Sequence, residues 1–184
     1  MNLSANKPLT ILIQEKGITD LDTLLSYVRE IPYGRSSSRT DFSTVITEHR
    51  GTCSSKHALV KAISEENQLQ KVKLILCMYK MNPKNTPGIG NEIINHGLEY
   101  VPEAHCYLRI DDQRIDITNP SSNLSRIEND ILEETEISAD QVGAFKVDYH
   151  KRYIKRWIKE QAVPMDFDQV WKVREACIQN LSVG

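Results

Sequence analysis

The sequence predicts an α+β domain. Three observations point there: a helix that opens on Cys53, a pair of strands joined by a tight turn at Asp111–Gln113, and long amphipathic helices in the last third. A cysteine-bearing helix packed on a small antiparallel sheet, followed by a helical C-terminal extension, is the expected architecture. At 184 residues the chain fits one domain, with a core over 20–120 and an extension over 121–184 packed on it.

The elements follow in order. Thr19 to Glu30 reads as an amphipathic helix, with Thr19 or Asp20 as its cap, Leu21, Leu24, Leu25 and Val28 at helical spacing, and Pro32 as its stop. Tyr33 to Arg39 is a polar loop. Asp41 to Glu48 reads as a short helix ended by Arg50-Gly51. The chain turns at Gly51 and enters the cysteine helix, whose buried face is Ala58, Leu59, Ala62 and Ile63. Lys71 to Met81 alternates as a strand. Asn82 to Pro102 is loop-like, long enough to imply a short helix within it or a functional lid. Ala104 to Ile110 and Arg114 to Thr118 form a hairpin. The remainder reads as helices over Ser125–Leu132, Asp140–Lys146, Tyr149–Gln161 and Phe167–Leu181.

Composition narrows the function classes. A net charge of −2 gives the whole chain no electrostatic footprint for nucleic acid. The basic cluster His150, Lys151, Arg152, Lys155, Arg156 and Lys159 reads as a solvated helix face beside an apolar stripe. Neither Leu9–Ile13 nor Val72–Met78 approaches the roughly 20 residues of a membrane span. The first ten residues have no secretory pattern. The four cysteines form no CxxC pair and read as free thiols in a reducing, cytoplasmic setting.

One constellation carries chemistry. Cys53 falls at a loop-to-helix junction, where the positive end of the helix dipole favours a thiolate. Its own N–H lies in the first turn, placed to donate to an oxyanion, and Gly51 is read as allowing close approach of substrate. A thiol nucleophile needs a base on a rigid element and a group that orients that base. His105 opens one strand of the hairpin and Asp116 lies on the other. Counting about Asp112 sets His105 against about Asn119 and Asp116 against about Leu108, diagonal neighbours within a couple of residues; a symmetric two-residue turn would put His105 and Asp116 on one face.

The motif Gly51-Thr52-Cys53-x-x-Lys56-x-Ala58-Leu59 resembles the cysteine motif of the transglutaminase-like, papain-type thiol superfamily. His105-x-Tyr107-x-x-Ile110 and Arg114-Ile115-Asp116-Ile117-Thr118-Asn119-Pro120 resemble its histidine and aspartate strands, and Ile31-Pro32-Tyr33 its lead-in. The resemblance covers about residues 28–120. It implies acyl transfer by a Cys53-His105-Asp116 triad on a peptide, protein or small amide or ester, without cofactor or metal. Tyr33 and Thr52 are the further candidates on the oxyanion and substrate side. Protein crosslinking is not implied, because both tryptophans, Trp157 and Trp171, are C-terminal and no acidic calcium cluster is apparent.

Other readings stand beside this one. Cys53 and His57, at i, i+4, with His105, are a weaker zinc alternative that lacks a second close ligand pair. A transglutaminase-like fold without activity, serving as a binding or scaffold module with the C-terminal helices docking a protein partner, is the alternative from another class. Arg50-Gly51-Thr52-Cys53 is also similar to the arylamine acyltransferase motif. Cys77, Cys106 and Cys177 read as core; His49, His96 and His150 as surface residues; Lys56 as a solvated or packing side chain.

Overall fold

The computed structural model describes residues 1–183, with side chains through residue 181. Its helices are α1 (Pro8–Gln14), α2 (Leu21–Glu30), α3 (Ser43–Thr47), α4 (Cys53–Glu66), α5 (Glu92–Asn95), α6 (Ala144–Glu160) and α7 (Phe167–Val183). Its strands are β1 (Val72–Met81), β2 (Val101–Ile110), β3 (Gln113–Ile115) and β4 (Ile131–Ile137). The strands form one antiparallel sheet in the order β3-β2-β1-β4. The α+β expectation therefore holds.

Two compact units interleave along the sequence. The first takes Met1–Leu76, Cys106–Leu124 and Thr135–Ala144. The second takes Cys77–His105, Ser125–Glu134 and Phe145 onward.

Local chemistry accounts for the first unit. In α2, Asp20 is the cap, its carboxylate accepting from the Thr23 N–H at 2.9 Å, while Leu21, Leu24 and Val28 are buried. α1 lies in a stretch that the sequence marks only as apolar. Pro8 opens it, and Glu66, the last residue of α4, caps it from a distance. The Glu66 carboxylate accepts from the N–H groups of Leu9 and Thr10 at 3.1 and 2.7 Å and from the Thr10 hydroxyl at 2.6 Å. α4 itself packs against α1, α2, α3 and the 3-10 turn at Ala139–Val142. That crowding buries it on nearly every side from Ser55 to Ile63.

β1 corrects the expected alternation. Along it only Lys73 is exposed and Lys80 half-buried, because a strand in the middle of the sheet order is covered on both faces. The hairpin turn has two residues, Asp111 and Asp112, both at positive φ (46° and 65°). The register is consequently one step from that expected: Leu108 pairs with Ile115, Arg109 with Arg114 and Ile110 with Gln113.

A second correction concerns 121–137. The helix expected over Ser125–Leu132 is realised only as 3-10 turns at Leu124–Arg126 and Glu128–Asp130, and Ile131–Ile137 is strand β4. Glutamate and leucine favour a helix in isolation, and pairing with β1 overrides that preference.

In the second unit α5 supplies the short helix expected between β1 and β2, and it packs on α7. The Asn180 amide donates to the Ile89 carbonyl at 2.9 Å, fastening the start of that segment to α7. Glu103 of β2 is buried and takes a bidentate ion pair from Arg174 of α7, with Nε and Nη2 at 2.7 and 2.6 Å. His150 is not the surface residue expected. It is buried beside Trp171, 2.8 Å from the Pro102 carbonyl and 3.8 Å from Glu103. Lys151, Arg152, Lys155, Arg156 and Lys159 of the basic cluster are exposed on α6, as expected, beside Phe145, Asp148 and Glu160. No helix is long and apolar enough to cross a membrane among the described residues.

Candidate functional site

Cys53 is the first residue of α4. Thr52 caps the helix in a reciprocal box: the Ser55 N–H donates to the Thr52 hydroxyl at 3.3 Å, and the Thr52 N–H to the Ser55 hydroxyl at 2.9 Å. The first main-chain bond of the helix runs from the Lys56 N–H to the Thr52 carbonyl, at 3.0 Å. The Cys53 N–H therefore lies in the turn for which an α-helix supplies no internal acceptor. The thiol is half-buried, with Sγ 3.8 Å from the Ser54 hydroxyl. Cys77, Cys106 and Cys177 are buried, and no two of the four cysteines are joined in a disulfide. Burial pushes the Cys177 thiol up to about 11, away from reactivity.

Tyr33 runs beside the segment that leads into Cys53. Its backbone forms a parallel bridge with Gly51, fixed by Gly51 N–H to Pro32 O at 3.1 Å and Gly34 N–H to Gly51 O at 3.2 Å. Its side chain is 36% exposed. Gly51 has a packing role that the sequence did not show. A Cβ there would lie 2.6 Å from Lys56 Cγ, 3.1 Å from Val45 Cγ1 and 3.2 Å from the Ser55 hydroxyl. The missing side chain makes room for Lys56.

Asp116 lies one residue past β3. Its Oδ1 accepts from the Thr118 N–H at 2.8 Å and from the Thr118 hydroxyl at 2.6 Å, and Arg29 Nη2 donates to its carbonyl oxygen at 3.2 Å. His105 lies within β2, where it and Arg109 are the two positions not fully buried. Strand alternation puts His105 on the side of β2 that carries Tyr107 and Arg109, whose side chains meet at 3.2 Å. Its ring stands edge-on to Tyr79, with centroids 6.3 Å apart. The structure thus places Cys53, Thr52, Tyr33 and Asp116 in the first unit and His105 at the edge of the second.

Two buried groups stand directly behind Cys53. His57 is fully buried. Its Nδ1 is 2.5 Å from the Cys53 carbonyl oxygen, and its Nε2 accepts from the Ile117 N–H at 2.9 Å. That pairing puts the ring proton on Nδ1, so the 3.5 Å approach of Nε2 to Asp116 is not a charged bond. With both nitrogens on main chain, His57 is unsuited to the zinc alternative. No cluster of three or more potential metal ligands occurs among the described residues.

Lys56 is also fully buried, which decides between the solvated and the packing side chain expected, in favour of packing. Its Nζ donates to the carbonyl oxygens of Arg29, Ile31 and Thr118 at 3.1, 2.7 and 2.7 Å. Burial brings its pKa down to about 8, against the opposing pull of Asp116. Three acceptors match the three protons of an ammonium, so Lys56 is a cation at neutral pH. A signal for it was present in the sequence: Lys56 falls on the helical stripe of Leu59, Val60 and Ile63, where a solvated lysine has no place.

Compared with known proteins, the chain matches no family model, no curated protein and no solved structure.

Proposed function

We propose that this protein is a thiol-dependent acyl-transfer enzyme, with Cys53 as nucleophile, His105 as general base and acid, and Asp116 as the carboxylate that orients the imidazole. The observation that carries the reading is the situation of Cys53. It alone among the four cysteines is not buried, and it starts a capped, 14-residue helix whose dipole favours the thiolate. The resemblance of three separate motifs in the order Cys, His, Asp supports the same assignment, as does the incomplete burial of His105, shared on β2 only with Arg109.

In the first step the Cys53 Sγ attacks the carbonyl carbon of an amide or ester. The thiol proton passes to His105, and the C–N or C–O bond breaks as His105 returns that proton to the leaving group. The product is a thioester on Cys53. Water or an acceptor nucleophile then gives up a proton to His105, attacks the thioester and regenerates the thiol. First-turn amides of α4 and the Tyr33 hydroxyl are the proposed partners of the tetrahedral oxyanion. A transglutaminase-like core is the fold this reading assigns to the Cys53 helix and the sheet.

The test is acyl-enzyme trapping. The protein is mixed with a panel of activated esters and arylamides, quenched in acid and examined by mass spectrometry. Release of the leaving group with a matching mass increase on Cys53, abolished in Cys53→Ala, supports the reading. Acylation spread over lysines, unchanged in Cys53→Ala, contradicts it.

A further inference from the structure

Lys56 and His57 follow Cys53 closely in the chain, and neither touches solvent. Both reach the segment that carries Asp116. Lys56 Nζ takes the Thr118 carbonyl at 2.7 Å, and His57 Nε2 takes the Ile117 N–H at 2.9 Å. Lys56 also takes the Ile31 carbonyl at 2.7 Å, two residues before Tyr33, and the Arg29 carbonyl at 3.1 Å, in the last turn of α2. One ammonium therefore ties three candidate segments to each other: the turn bearing Cys53, the lead-in bearing Tyr33 and the strand exit bearing Asp116. Gly51 leaves the room that the lysine stem fills. A buried cation that only filled space would be replaced without loss by an apolar side chain. Three main-chain carbonyls from two segments, the end of α2 and the Asp116–Thr118 exit, make it a geometric constraint instead.

We propose that Lys56 is a positioning residue for the thiol chemistry, a role that rests on the Cys53 reading above. Through its three carbonyl bonds it sets the first turn of α4 against the Ile31–Tyr33 and Asp116–Thr118 segments, and so fixes the surroundings in which Cys53 ionises. His57 makes the second tie, from the Cys53 carbonyl to Ile117. Lys56 touches no reacting atom and acts through the backbone.

The experiment is the pH–rate profile of Cys53 alkylation by iodoacetamide, located by mass spectrometry, in the intact chain. Wild type, Lys56→Met, Lys56→Arg and Gly51→Ala are compared under conditions where each is folded by circular dichroism. Lys56→Met keeps the stem and removes the donors. It is expected to move the profile to higher pH and to slow Cys53 at pH 6 by roughly tenfold or more, since each unit of thiol pKa costs about a factor of ten in thiolate. Lys56→Arg, which keeps a charged donor, is expected to recover part of that loss. Gly51→Ala displaces the lysine stem without removing its charge and is expected to shift the profile the same way, so it carries the test if Lys56→Met does not fold. A folded Lys56→Met, or a folded Gly51→Ala in its place, with the wild-type profile overturns the positioning role and leaves the Cys53 reading standing. A wild-type Cys53 that titrates as an ordinary thiol defeats the Cys53 reading, and the positioning role with it.

Discussion

Replacing Glu103 with glutamine removes one charge from a buried pair and leaves Arg174 facing a neutral amide. Glu103 is 6% exposed and takes two charge-assisted bonds from Arg174, at 2.7 and 2.6 Å. Burial alone would raise its pKa. The Arg174 guanidinium, with a smaller contribution from His150, prevails and holds it down at about 2, against an ordinary 4.5. The difference of about 2.5 units corresponds to roughly 3 kcal/mol at 1.36 kcal/mol per unit. Breaking a buried pair from one side typically costs about 3–5 kcal/mol, so the two figures agree. The sign follows from proton counts. Between pH 4.5 and 2 the unfolded chain binds the proton and the folded chain does not, so the stabilisation is complete above 4.5 and is lost on acidification toward 2. The assay is urea unfolding followed by tryptophan fluorescence. Trp157 and Trp171 both lie in the second unit, with Glu103 and Arg174. Glu103→Gln is expected to lose about 3 kcal/mol at pH 7, with a gap to wild type that narrows by pH 3. A loss below about 0.5 kcal/mol at pH 7, or a gap independent of pH, would refute the account of this pair.

Other expectations concern stability, pH and thiol access. Thr52→Ala removes one half of the capping box on α4 and is expected to cost about 1 kcal/mol in chemical denaturation. Gly51→Ala drives a methyl against the Lys56 stem and Val45, and the same measurement should show a loss of about 1–3 kcal/mol. Burial holds His150 below its ordinary 6.5, so the unfolded chain takes up a proton first as the pH falls. Stability should therefore decline below pH 6.5, and His150→Gln should flatten that part of a stability–pH curve. In native protein one thiol, Cys53, should react rapidly with a chromogenic disulfide, while Cys77, Cys106 and Cys177 react only on unfolding. Rapid reaction of a second thiol would contradict the burial described.

Elements governed by local chemistry were legible in the sequence. The Asp20 cap and Pro32 bounded α2, Gly51 and the apolar spacing bounded α4, and the acidic turn marked the hairpin. Elements set by distant partners were not. α1 depends on a cap from Glu66, some fifty residues away, which no window around Pro8 contains. The stretch of β4 shows no strand pattern, its first two residues reading as the end of a helix, until β1 is placed beside it. The one-step register shift came from the turn, where two aspartates at positive φ replace the three-residue turn the counting assumed. At the candidate site the placement of Cys53 at the start of a helix was legible. The surroundings of Cys53 were not, because Lys56 reads as a solvated or packing side chain and His57 as a weak zinc candidate, and only the fold brings main-chain partners to them. Gly51 illustrates the same limit: the sequence shows that a small residue stands there, and the fold shows that Lys56 fills the space a side chain would take.

The central claim is that Cys53 is a nucleophile activated by His105. Its most direct test is the pH dependence of Cys53 alkylation in wild type and His105→Ala. The account predicts that wild-type Cys53 reacts well below pH 8 and that His105→Ala returns it to the behaviour of an ordinary thiol, near 8.5. An unchanged profile in His105→Ala, or an ordinary thiol in wild type, would contradict it.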